Sequence, residues 1–229
     1  MIKIENVDVY GWEAAIRGMR NPLNSWNKSD SCYLTINEIA GHPCDDGLQK
    51  EFVIGENDLK LMKQLVKAGT DHSKFMRMIT VTLDITAPMY WWKEASTYKV
   101  GTVRNSCSTM HTIHKKEFTL ADFSCEHLTD YWNNDGELCR EFLETLEYLI
   151  DDLNCARQLY IATKDKKWWW QMIQLLPESY NQRATVQMNY AVLRNIYHAR
   201  KDHKLDEWKI FCKWIEEELP YSKLITMEG

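Results

Sequence analysis

The sequence predicts an α+β fold, with helices packed around a modest, mostly antiparallel sheet, on three observations. Ile79, Val81, Leu83 and Ile85 alternate with Thr80, Thr82, Asp84 and Thr86, the period of two that marks a half-buried strand. Segments with a three-to-four-residue apolar period precede and follow that strand, as amphipathic helices require. The two kinds of element are mixed along the chain rather than strictly alternating, which points to α+β and away from a parallel α/β sheet.

Taken in order, the first 50 residues read as loop-rich, punctuated by Asn21-Pro22, Gly41-His42-Pro43 and Asp46-Gly47, with a short helix over Gly11 to Met19. A helix follows Gly55: Asn57 or Asp58 caps it, Leu59, Met62, Leu65 and Val66 share a face, and Gly69 ends it. After the Ile79–Ile85 strand, Pro88 suits the first turn of a helix carrying Tyr90, Trp91, Trp92, Lys93 and Glu94, because its missing N–H is not needed there. Residues 99 to 109 read as irregular and polar. A long Leu- and Glu-rich helix is expected over 137 to 162 after Asp135-Gly136, and another over 166 to 176, stopped before Pro177. Arg183 to Met188 fits a strand, and Asn189 to Arg200 and Leu205 to Leu219 fit two more helices. No low-complexity linker or internal repeat divides the 229 residues, so one domain spanning 1–229 is expected.

Composition narrows the function. Hydrophobic residues are 45% and charged residues 27%, an ordinary globular balance. The net charge of -5 argues against a general nucleic-acid binder, while leaving room for a local cationic pocket. Seven cysteines, Cys32, Cys44, Cys107, Cys125, Cys139, Cys155 and Cys212, are odd in number and irregular in spacing, without a CxxC. They read as reduced thiols. With no signal-peptide pattern and no apolar run of membrane-spanning length, a cytoplasmic protein without a membrane partner is expected. Ten Trp and eleven Tyr exceed what a core of this size needs, so some rings are expected at a pocket or an interface.

Four groups of residues carry candidate chemistry. Cys107, His111 and His114, with Cys125 and His127 beyond, resemble scattered zinc ligands, but the two closely spaced pairs of a firm site are absent, and no metal is expected. Cys107 near Lys99, Arg104 and His111 is a candidate nucleophile, against the commoner role of a bystander thiol. No GxxxxGK[ST] or GxGxxG occurs, although Ser106, Ser108 and Thr109 suit either a small anion or a capped turn, the turn being favoured. Trp168, Trp169 and Trp170 project about 100° apart on a helix, so at least one is expected at the surface of a monomer, as interface or ligand wall.

The segment from Asp71 to His111 also resembles the signature region of the flavin-dependent thymidylate synthases, the ThyX family. That family shows a His, a strand F-T-F-x-[IV], often Ala-Pro, a helix containing Arg-Gln, then Arg-His-Arg and a loop N-E-x-S-x-R-Y. Here stand His72, Val81-Thr82-Leu83-Asp84-Ile85, Ala87-Pro88, Lys93-Glu94, Thr97-Tyr98-Lys99, and Asn105 to His111 after one inserted residue near Thr102. A second family block, Leu-Pro followed by N-x-R-S-L-x-[HN]-F-x-x-x-R, is matched by Leu176-Pro177, Asn189, Leu193, Asn195 and Arg200. The two blocks cover about a third of the chain.

The resemblance implies a ThyX-like fold and a homotetramer with FAD bound between subunits. It implies methylation of a small-molecule nucleotide, dUMP, to dTMP, with methylenetetrahydrofolate as carbon donor and NADPH as reductant. By position it puts His72, Tyr98, Lys99, Asn189 and Asn195 near the flavin, and Lys93, Glu94, Ser108 and Arg200 near the nucleotide. Tyr98 or Trp92 is a candidate to stack on a ring. The segments around 72, 108 and 195–200 are accordingly expected to wall one cleft. The chain departs from the family at Thr97-Tyr98-Lys99 in place of Arg-His-Arg, Glu94 in place of Gln, and Met110 in place of Arg. A second reading is therefore a non-catalytic nucleotide-binding or assembly protein on the same scaffold.

Overall fold

The computed structural model describes residues 1–35 and 50–228. The turns expected at Gly41-His42-Pro43 and Asp46-Gly47, and Cys44, lie outside the described residues. A four-stranded sheet is built from β1 (Lys3–Tyr10), β4 (Thr80–Pro88), β5 (Val103–Ser106) and β8 (Asn181–Asn189), in the order β1-β4-β8-β5. β4 and β8 run antiparallel: Tyr190 N donates to Ile79 O at one end of the pair, and Met89 N to Tyr180 O at the other. Two ribbons stand apart, β2 (Cys32–Thr35) with β3 (Lys50–Val53), and β6 (Tyr131–Trp132) with β7 (Leu138–Arg140), both antiparallel.

The helices are α1 (Trp12–Arg20), α2 (Glu56–Lys67), α3 (Met89–Ala95), α4 (Thr109–Thr112), α5 (Phe142–Thr163), α6 (Lys166–Leu175), α7 (Tyr190–Arg200), α8 (Asp206–Glu218) and α9 (Lys223–Thr226). None of the described helices is long and apolar enough to cross a membrane. The fold is α+β, as the sequence leads one to expect.

Several elements differ from the sequence reading for identifiable reasons. The first 50 residues are not simply loops: β1 occupies 3–10, but Asn6 takes a left-handed φ of 52°, which shifts the alternation of Ile2 and Ile4 out of phase with Val7 and Val9. Residues 103–106, expected to be irregular, form the polar edge strand β5. The long helix starts at Phe142 rather than 137, because Gly136, with φ 78°, turns the β6–β7 hairpin first. Neither Asn57 nor Asp58 caps α2. Its N-cap is Gly55, and the Asp30 carboxylate accepts from the backbone N–H of Asn57 (2.8 Å) and Asp58 (3.1 Å).

The chain divides into two compact units, with the division falling inside the strands. One comprises Met1–Glu5, Asp84–Thr97 and Arg104–Val186. In it α5 packs on α6, burying Leu146, Ile150, Leu153 and Ala156 with Met172, Phe118 and Phe123. Asp165 caps α6 by accepting from Lys167 N at 3.0 Å. The Trp run divides as expected: Trp169 packs against this core while Trp170 is 43% exposed.

The other unit comprises Asn6–Leu83, Tyr98–Val103 and Gln187–Gly229. Trp12, Ile16 and Met19 of α1 share a buried face, and Trp12 meets Tyr190 and Tyr221 edge-on at 5.1 and 5.2 Å. Gly11, at φ 91°, cannot be another residue cheaply, since a Cβ there would lie 2.1 Å from Met78 O. α7 packs on α8, on α9 and on the 3₁₀ turn Lys74–Arg77. Burial in this core pushes the Cys212 thiol up to about 12, which makes it inert.

Candidate functional site

The second unit holds all five residues that the family resemblance puts near a flavin, and Arg200 besides. Asn189 ends β8 and caps α7, its side-chain oxygen accepting from Val192 N at 3.0 Å. That bond satisfies an N–H that the first helical turn cannot pair internally. Beside it Gly101, at φ 81°, closes a tight turn: a Cβ there would come within 3.0 Å of Asn189 Nδ2 and 3.1 Å of Val192 Cγ2.

Arg77, Thr80, Gly101, Thr102, Gln187 and Asn189 line an open cleft of about 320 Å³, with Val103 and Met188 completing the wall. Its volume is at the small end for ligand sites, enough for one nucleotide-sized part of a dinucleotide. Among the described residues the buried Thr102 Oγ1 has no hydrogen-bond partner, an orphan that a ligand's polar group would satisfy. One guanidinium, two hydroxyls and two amides stand along this wall. Arg77 was not singled out in the sequence; its only signal there is its place five residues after His72.

Arg200, the last residue of α7, is held by aromatic groups. Its Nε donates to the Tyr98 hydroxyl at 2.8 Å, and its guanidinium lies 5.0 Å from the Trp208 ring and 5.6 Å from that of Tyr98. This arrangement fixes a planar cation that water would otherwise leave mobile. Lys99 is exposed one residue beyond Tyr98, and its carbonyl accepts from Thr102 N. His72 is exposed in a turn, its backbone N–H bonded to Gly69 O, with its ring unengaged among the described residues. Asn195 is also exposed; five residues before Arg200, it projects about 140° away from it around α7, so the helix does not bring the two to one face.

The remaining sequence candidates lie in the first unit. Lys93 on α3 is paired with Glu178 at the surface, and Glu94 beside it is half-buried. Ser108 caps α4, its Oγ accepting from His111 N at 3.3 Å, which is the capped-turn arrangement. α4 ends at Thr112, so His111 and His114 do not share a helical face; the His114 ring packs edge-on against Tyr160 at 5.0 Å. Cys107 is exposed, 3.5 Å from the Thr112 hydroxyl. Among the described residues no three His, Cys, Asp or Glu side chains converge as a metal set. Trp92 is buried, with its indole N–H bonded to Gln182 O and one face covered by Arg104, so that face is closed to a ligand ring.

No protein-family model matches the sequence. No curated protein matches it either. Solved structures do share its fold. One is the flavin-dependent thymidylate synthase ThyX from Helicobacter pylori complexed with FAD and dUMP, at TM-score 0.65 and 16% identity, covering 98% of each chain. A second structure of Helicobacter pylori ThyX with FAD and dUMP gives TM-score 0.66 and 16% identity over 99% of this chain and 98% of that one. The UMP/dUMP methylase PolB from Streptomyces cacaoi, bound with 5-Br dUMP, gives 0.55 and 14% over 94% and 88%. At such identities the likeness is one of fold.

Proposed function

We propose that this chain is a divergent flavin-dependent thymidylate synthase-like protein that binds FAD, a pyrimidine nucleotide such as dUMP, or both, at an interface between subunits of a homotetramer. The observation that carries this reading is the clamp on Arg200 by Tyr98 and Trp208, in a fold that matches FAD- and dUMP-bound structures over nearly their whole length. Arg200 and Lys99 would neutralise phosphate. Asn189, Thr102 and Arg77 would hydrogen-bond part of the FAD, with His72 and Asn195 at its margins. If the protein is an enzyme, it methylates dUMP, and bound FAD supplies the redox chemistry between NADPH and the methylene group carried by methylenetetrahydrofolate. Tyr98 acts through Arg200, as a positioning residue.

A specific observation favours a second reading, a non-catalytic nucleotide-binding or assembly protein. Tyr98 stands in the middle of the Arg-His-Arg position with its hydroxyl already committed to Arg200, while Thr97 and Met110 supply no cation. Each lost charge-assisted bond weakens an anionic ligand by about tenfold or more. The absorbance of the purified protein tests the first reading, with flavin bands expected near about 375 and about 450 nm. A colourless protein that gains no thermal stability from FAD or dUMP contradicts it. Bound flavin or nucleotide without dTMP formation selects the second.

A further inference from the structure

The first unit contains a cation that nothing above uses. Arg104, on the edge strand β5, lays its guanidinium 3.8 Å over the Trp92 indole and donates from Nη2 to Gln182 Oε1 at 2.5 Å. Gln182 is itself locked: its Nε2 donates to Cys107 O at 2.7 Å, and its carbonyl accepts from Trp92 Nε1 at 2.8 Å. Trp92, Gln182 and Cys107 therefore fix the plane and direction of one guanidinium.

What the cluster lacks is a negative charge. No carboxylate pairs with Arg104 among the described residues, and its Nε is buried without a hydrogen-bond partner. Burial pulls its guanidinium below the usual arginine range. Holding a half-buried cation without a counter-charge is costly, and its buried, unmet Nε–H adds to the cost. A structural role for Arg104 as a lid on Trp92 would be met more cheaply by an apolar side chain. Ser106 lies two residues on, on the same face of the strand, and is exposed.

We infer that Arg104, Ser106 and Gln182, with Trp92 as the floor, form an oxyanion subsite that takes a phosphate monoester. The guanidinium supplies the charge and a planar fork, Gln182 holds the fork's direction, and the Ser106 hydroxyl supplies a further donor. Arg104 and Gln182 lie outside the motifs that carry the family resemblance, Arg104 two residues past the insertion near Thr102 and six before the Met110 that replaces an arginine, while Ser106 lies in the matched loop with no role implied for it there. It stands whether or not the protein retains flavin.

The test is isothermal titration of the full-length protein with inorganic phosphate, uridine monophosphate and, as a carboxylate control, acetate, at low salt. The expected result is one phosphate-competed site per chain that prefers both phosphates to acetate. Arg104→Gln should weaken it by about tenfold or more. Arg104→Lys keeps the charge without the fork and should weaken it by about threefold or more. Wild-type protein that binds neither phosphate, or an Arg104→Gln variant that binds as tightly as wild type, overturns the inference. If Arg104→Gln does not fold by circular dichroism, Arg104→Lys decides, and unchanged affinity there overturns it. Phosphate binding by a colourless protein retains this site and removes the flavin reading; flavin bands in a protein indifferent to phosphate do the reverse.

Discussion

Arg20 and Asp58, 38 residues apart in sequence, form an ion pair closed to solvent, with Nε 2.6 Å from Oδ1. The rest of each group is also engaged. Arg20 donates to the carbonyls of Ser25 and Lys28, and Asp58 Oδ2 accepts from the hydroxyls of Ser29 and Ser31. The pair thus ties the end of α1 and the loop after it to the first turn of α2, in the unit that holds the flavin candidates. Its worth lies in completeness, because a buried charge with any bond missing would be a liability.

Removing one partner strands the other. Asp58→Ala is expected to cost about 3–5 kcal/mol by leaving Arg20 buried and unpaired. For a chain of this size that lowers the melting temperature by on the order of 10 °C. Calorimetry of the variant measures this, and a loss of under about 1 kcal/mol would show the pair to be dispensable.

Acid should reach the same lock. Burial alone would raise the Asp58 carboxyl, but hydrogen bonds from Ser31, Ser29 and Arg20, with the Arg20 charge, outweigh it and hold the group below its ordinary 3.8. A depressed folded pKa gives stability that is complete above the ordinary value and is lost as pH falls through the folded one. Melting temperature should therefore drop below about pH 4, and Asp58→Asn should flatten that part of the curve. An unchanged acid slope in the variant would remove Asp58 as its source.

Asn189 has two jobs that substitutions can separate. Asn189→Ala removes the α7 cap and should cost about 1 kcal/mol. Asn189→Asp keeps a capping oxygen but loses the amide donor facing the cleft beside Gly101. Stability should survive in the Asp variant while FAD affinity falls severalfold. Equal FAD affinity in wild type and Asn189→Asp would assign Asn189 to the helix alone.

Tyr98→Phe removes the hydroxyl that holds Arg200 and leaves the ring. It should weaken dUMP severalfold, whereas Arg200→Ala should weaken it by about tenfold or more. Combined with Arg200→Ala, Tyr98→Phe should add little, because the two act through one contact. Fully additive losses in the double variant would mean that Tyr98 meets the ligand on its own.

The legible parts of the fold were those whose pattern is local. β4 shows in its alternation and α7 in the Asn189 cap and apolar face, and both are formed by residues that neighbour one another in sequence. β1 escaped because left-handed Asn6 breaks its period, and β5 because an edge strand of Val-Arg-Asn-Ser carries no apolar face. Asp30 capping α2, Arg20 meeting Asp58, and Arg104 reaching Gln182 join residues 28 to 78 positions apart, and no spacing rule reaches that far. At the candidate site, motif order pointed to Asn189 and Arg200, but neither Arg77 nor the Tyr98 clamp has a sequence signature.

The proposed flavin nucleotide site lies in the unit that gathers Asn189, Thr102, Tyr98 and Arg200. Its most direct measurement is titration of the purified, flavin-stripped full-length chain into FAD while flavin fluorescence is followed. Saturable quenching at micromolar protein, weakened severalfold or more by Asn189→Asp and competed by unlabelled flavin nucleotide, is the expected result. Fluorescence that stays flat up to the solubility limit of the folded protein would show that this unit holds no flavin.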